Sequence, residues 1–144
     1  MNLQPIIDRL DADKGGFRHI GNVVGFSEAV AALKSSPSAF VVAEAEDWGQ
    51  PQYQPGFFQQ NQVNTFAVMI GISAAGPTGA HGFEMLTDLI SHLNAVLINW
   101  VHPDAAGPNH PTIALRGRAM GLTPNQSLWW QQSYAYTIPY RKAG

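Results

Sequence analysis

The spacing of apolar residues divides the chain into short helical and extended segments. Leu3, Ile6, Ile7 and Leu10 recur at the helical period and predict a first helix over 3–12. Pro5 suits its first turn, where a missing N–H costs nothing, and Gly15 or Gly16 ends it. A short strand is expected around Phe17–Val23. SEAVAALKS at 27–35 predicts a second helix, with Ser27 as N-cap, Phe26, Val30 and Leu33 as its apolar side, and Pro37 as its stop. SAFVVAEA at 38–45 is apolar on both faces and reads as a central strand. In the strand VNTFAVMIGI at 63–72, Phe66, Val68, Ile70 and Ile72 share one face. The turn region 73–82 leads into the main helix over 83–100, with Leu86, Leu89, Ile90, Leu93, Val96, Leu97 and Trp100 as its stripe. Glu84 and Asp88 are placed near its positive N-terminus.

The C-terminal third alternates. In 112–122, Ile113, Leu115 and Ala119 point one way, Arg116 and Arg118 the other. In 128–140, Leu128, Trp130, Tyr134, Tyr136, Ile138 and Tyr140 share one parity; Gln131, Ser133, Ala135 and Thr137 share the other. Pro139 cannot donate to a ladder, which puts the end of this strand at a sheet edge. The segment 46–62, EDWGQPQYQPGFFQQNQ, follows neither period and predicts a long connection or an extended hairpin tip. Pairing the strands as two hairpins gives the order α-(β)-α-β-β-α-β-β. The expected fold is α+β, one domain over 1–144: a two-layer sandwich of a mainly antiparallel, four- to five-stranded sheet with helices packed on one face.

Composition narrows the function. The chain of 144 residues has no Cys, which excludes a disulfide framework, a thiolate nucleophile and Cys-ligated metal. The start MNLQPIIDRLDADK lacks the basic and apolar runs of a secretory signal, and no apolar run is long enough for a membrane span, so a soluble, cytoplasmically made protein is expected. A net charge of -2 argues against general nucleic-acid binding. Charged residues make up 12% of the chain, about half the typical share of roughly 25%, as on a surface partly covered by partner proteins.

The search for chemistry returns little. His102, Asp104 and His110 could together bind a divalent metal, which would suit a small metal-dependent enzyme, but their spacing matches no specific motif. His81 and His92 are about 16 Å apart along a helix, too far to share a metal. His19 is isolated. The glycine-rich stretch GISAAGPTGAHG lacks the Lys-Ser/Thr end of a phosphate loop. No catalytic residue, metal site or cofactor is assigned. Trp48, Tyr53, Phe57 and Phe58, four aromatics in an aperiodic segment, fold back on the core or are covered by a neighbour. Arg116, Arg118 and Trp129 are residue types enriched at interface hot spots, and the two arginines could pair with acids of a neighbouring subunit. These seven residues are the candidate interface.

The blocks LQPIIDRLDA, VVGFSEAVAALKSSPSAFVVAEAED, VNTFAVMIGI, LTDLISHLNAVLINWVHPDA and IALRGRAMGL…LWWQQSYAYTIPYRK together resemble the phage tail terminator family, in the branch of small proteins from Mu-like and related tailed phages. The most specific points are Trp100 with Pro103, the Leu115-Arg116-Gly117 step and Leu128-Trp129-Trp130. The resemblance implies a structural virion protein, not an enzyme. It would form a homo-oligomeric, hexameric ring on the last ring of the tail tube, stop tube growth, offer a surface to a head–tail connector protein and let DNA pass without reading it. That places it at the neck end of the tail, and in host cytoplasm during assembly. Rival readings are another neck or connector component, the metal enzyme above, and a monomeric binding module.

Overall fold

The computed structural model describes residues 1–73, 79–105, 107, 109–123 and 127–143. The expected turns at 73–82 and 123–127 and the 104–111 loop therefore lie partly outside the described residues, as does the side chain of His81. The elements are α1 (Gln4–Ala12), β1 (His19–Asn22), α2 (Phe26–Ala32), β2 (Ser38–Trp48), β3 (Gln52–Gln54), β4 (Phe57–Ser73), α3 (Gly79–Leu97), β5 (Ile113–Leu122) and β6 (Ser127–Lys142). They form an α+β fold on one six-stranded sheet of order β1-β2-β4-β6-β5, with β3 added to β4. All pairs are antiparallel except β1 with β2.

Strand alternation builds two cores, one on each face. Ala39, Val41, Phe66, Val68, Ile70, Ile72, Tyr134 and Tyr136 point to the side covered by Ile6, Ile7 and Leu10 of α1 and by Leu86, Leu89, Leu93, Val96 and Leu97 of α3. The opposite parity, Phe40, Val42, Ala67, Met69 and Trp129, packs with Val23 and with Ala29 of α2. The expectation of helices on one face thus holds for α1 and α3, whereas α2 lies on the other. Two adjacent parallel strands need a connection that leaves the sheet, and α2 is that connection between β1 and β2. It lands on the face that α1 and α3 leave free.

Local chemistry explains most boundaries. Gly15 takes a φ of 58° after α1, and a side chain there would run into the His92 ring, whose Nε2 lies 2.8 Å from the Asp13 carbonyl oxygen. α2 is shorter than expected: Gly25, not Ser27, is its N-cap, while Glu28 accepts the Val24 N–H at 3.1 Å. α3 starts before Phe83, so Glu84 and Asp88 sit beyond its first turn. It ends at Leu97, three residues short of Trp100, because Asn99 adopts a left-handed φ of 69° and donates its N–H to the Thr112 carbonyl. Asn94 ties α3 to the sheet by accepting from Tyr134 Oη (2.6 Å) and Gln132 Nε2 (3.2 Å).

Of the two readings of 46–62, the extended hairpin tip is the one present, and it is largely strand. β2 runs to Trp48 and β4 begins at Phe57, with β3 in the connection between them. Together with the end of β6 they extend the sheet into an arm. No helical residue joins a core beyond Asn64, where β4 changes from buried to partly exposed positions. Polar Gln and Asn replace the apolar alternation here, which is why the period fails while the ladder continues.

Candidate interaction surfaces

The arm carries most of the exposed aromatic surface. Trp48 is 52% and Tyr53 76% exposed, and Phe57 and Phe58 are half-buried. These rings do not fold back on either core. They pack on the arm itself: Trp48 lies 4.9 Å from Tyr140 and Tyr53 5.4 Å from Phe58, centroid to centroid. Gln60 Nε2 donates to the Gly49 carbonyl at 3.0 Å and Arg141 Nε to Gln59 Oε1 at 3.2 Å, so side chains brace the ladder on which these rings stand. β5 ends opposite Ala135, so beyond that point β6 has β4 on one side only, and the edge expected at Pro139 is present.

β5 is the long free edge of the sheet, exposed almost throughout. Bulges between Ala114 and Arg116 and between Ala119 and Gly121 break its alternation. Arg116 stands opposite Ser133 and Arg118 opposite Gln131, on the α2 face; the first bulge also brings Ile113, opposite Ala135, to that face rather than the reverse one. Both arginines are exposed and make no side-chain hydrogen bond or ion pair among the described residues. Glu44, a carboxylate on the same face, is engaged by Ser133 Oγ (2.7 Å) and Gln131 Nε2 (3.0 Å) instead.

Trp129 departs from the sequence expectation. It is fully buried in the α2-side core, between Phe40 and Phe26, with Gly71 packed so closely that a Cβ there would fall 2.6 Å from the ring. It is a core residue, and only six of the seven candidates lie at the surface. Its neighbour Trp130 faces the other side, where its Nε1 donates to Gln132 Oε1 at 2.9 Å. A strand with both faces covered cannot be told from a half-exposed one by a Trp-Trp pair alone.

The metal reading fails at His102. The ring is completely buried and stacks on Tyr136 at 4.1 Å and 3°. Its Nδ1 accepts from the Asp104 N–H at 3.0 Å, so Nε2 carries the proton and donates to the Asn2 carbonyl at 2.9 Å. Both nitrogens are occupied in holding the N-terminal segment to the 102–105 turn, and the described residues include no cluster of three or more His, Cys, Asp or Glu suited to a metal. The described helices include none long and apolar enough to cross a membrane.

The structure assembles one polar site that sequence reasoning missed. At the root of the arm, on the α1/α3 face, Glu46, Gln62, Asn64, Ile138 and Tyr140 form the floor of a depression walled by Met1, Asn2 and Asp104. Met1's α-amino group pairs with Glu46, and Gln62 Nε2 donates weakly to the same carboxylate at 3.4 Å. Asn64 is buried, and its Oδ1 has no partner; nor does the hydroxyl of Tyr136, its neighbour across the ladder. Burial, helped by the Asp104 and Glu46 carboxylates, pushes the Tyr136 hydroxyl up to about 12. No sequence period links positions 1, 46, 64 and 104; only the acidic nature of Glu46 and Asp104 was visible.

A family model described as "Phage tail terminator protein" matches residues 1–143. Among solved structures, a chain of the "Virion of native gene transfer agent (GTA) particle" is similar in fold, with a TM-score of 0.53 at 15% identity, over 92% of this chain and 90% of that one. No curated protein matches the sequence.

Proposed function

The chain belongs to the phage tail terminator family, and from that premise we propose that it acts as one subunit of a six-membered ring seated on the last ring of the tail tube. As a family member it is a structural protein of the virion tail with a tail-capping role at the neck, not an enzyme. In the proposed ring, the bound subunits deny further tube protein a growing end and present their free side to a head–tail connector protein. The observation that carries this reading is the family match along nearly the whole chain.

The surfaces supply a physical means. A ring closes through a heterologous interface, in which two different patches of one subunit meet two neighbours. The arm, with Trp48, Tyr53, Phe57 and Phe58, and the β5 edge, with Arg116 and Arg118, are two such patches at different parts of one sheet. Exposed aromatics gain most when a partner removes them from water. A net charge of -2 suits a lumen through which DNA passes without being held.

The test is to incubate the purified protein with purified tail tubes and image them by electron microscopy. Six-fold density confined to one tube end, with arrested tube growth, is the expected result. Tubes that elongate unhindered, with bare ends at saturating protein, would overturn the reading. A monomer on a sizing column would not, since the tube end itself can template the ring.

A further inference from the structure

We propose that the depression at the root of the arm is a receptor for an arginine of a second copy of this chain, supplied by the unpaired Arg116–Arg118 edge of the neighbouring subunit. This rests on the ring reading above and names the contact that would close it.

The acceptor side is built from oxygen. Glu46 and Asp104 contribute carboxylates, and Asn64, which belongs to the lining, is buried with an Oδ1 that has no partner. The hydroxyl of Tyr136, opposite Asn64 in the ladder, is likewise unsatisfied. A buried amide oxygen left without a donor is costly, so a small side-chain shift that turns it to an incoming N–H is favoured. The two carboxylates of the lining favour a cationic donor. A guanidinium also offers five N–H donors in a planar fork, enough to serve a carboxylate and an amide oxygen together.

The donor side is a pair of arginines. Arg9 is held by the Val96 carbonyl and by Trp100, Lys14 by Asp11 and Arg141 by Gln59. Arg18, Lys34 and Lys142 also lack a side-chain partner among the described residues, but Arg116 and Arg118 differ from them in standing side by side on one face of an exposed edge strand, where two guanidinium groups can be presented together. They point to the α2 face, whereas the receptor opens on the α1/α3 face. One subunit therefore offers its donor on one face and its acceptor on the other, the arrangement that propagates head to tail.

Two experiments test the contact. The first uses Arg116→Glu/Arg118→Glu and Glu46→Lys/Asp104→Lys variants, each checked for folding by circular dichroism. Each alone should self-associate, in concentrated solution or on tube ends, about 30-fold or more weakly than the parent chain. An equimolar mixture should recover assembly, because an even-membered ring can alternate the two. The second exploits the absence of Cys from the chain. Asp104→Cys combined with Arg116→Cys or Arg118→Cys, treated with a short bis-maleimide on tube ends, should give a ladder rising to the closed ring, while each single-Cys variant stops at dimers. Folded variants that assemble like the parent, or a mixture that fails with no ladder from the paired cysteines, would overturn the contact while leaving tube capping intact. A ladder formed in solution by a protein that leaves tube ends bare would instead overturn the capping reading and keep the contact.

Discussion

The two ends of β4 show what separates the fold from its contact surfaces. From Phe66 to Ile72 the strand is buried on both faces, its odd and even residues feeding two separate cores. From Phe57 to Val63 it still pairs with β6, while β3 takes the place of β2 beside Phe57–Gln59; no helix lies above it, and apart from Val63 its residues are Gln, Asn and aromatics. Hydrogen bonding is continuous across the join, so the backbone alone does not distinguish the halves. The difference is where apolar area leaves water. In the body that happens on folding, at roughly 25 cal/mol per Å²; in the arm the aromatic area stays exposed in the single chain, and in the proposed ring a neighbour would cover it. The comparison predicts that stability and assembly can be damaged separately.

The largest effects belong to the body. Phe66→Ala or Trp129→Ala should each destabilise the chain by about 3–5 kcal/mol, since both side chains are fully enclosed; thermal melts measure this, and the Trp129 result also tests its assignment to the core. Next is a pH effect at the junction. The Tyr136 hydroxyl, ordinarily near 10, is raised to about 12. Below pH 10 it is protonated in both states and contributes no pH dependence. Between 10 and 12 the unfolded chain loses this proton first, the folded chain holds more protons, and stability falls as pH rises. Up to about 2–3 kcal/mol is lost across that window. Denaturation of Tyr136→Phe against the parent at pH 9 and 12 should show this share of the loss disappearing.

Smaller still is the polar tie between helix and sheet. Asn94→Ala leaves Tyr134 Oη and Gln132 Nε2 without their acceptor and should cost about 1–3 kcal/mol in urea unfolding. The smallest stability change falls on the arm. Trp48→Ala with Tyr53→Ala should shift unfolding by less than about 1 kcal/mol, because both rings are more than half exposed, yet should abolish tube-end binding. An arm variant that melts like a core variant would erase the distinction between the two halves of β4.

Much of the architecture was legible in the sequence. The stripe from Leu86 to Leu97, the alternation of Phe66 to Ile72 and the parity of Leu128 to Tyr140 each mark an element and its core face. The readings of 46–62, Trp129 and His102 were sharpened or corrected for one shared reason, that periodicity is local. The 46–62 segment looked aperiodic because its strands lose a core, not a ladder. Trp129 looked like a contact residue because the α2-side core that encloses it is assembled from Val23, Ala29, Phe40 and Met69, far away in sequence. His102 looked like a ligand because its partners are the backbone of Asn2 and Asp104.

The linear chain was enough for the order of every element but β3, the two-sided apolar pattern of the central strands and the family. Each is a property of residues near one another in the chain or of their order along it. Folding in three dimensions settled which helix covers which face, how far the sheet outruns its helices, and that positions 1, 46, 64 and 104 share one polar site. Those outcomes depend on register and on the relative lengths of neighbouring layers. The same geometry leaves Arg116 and Arg118 unpaired on one face and an unsatisfied acceptor site on the other.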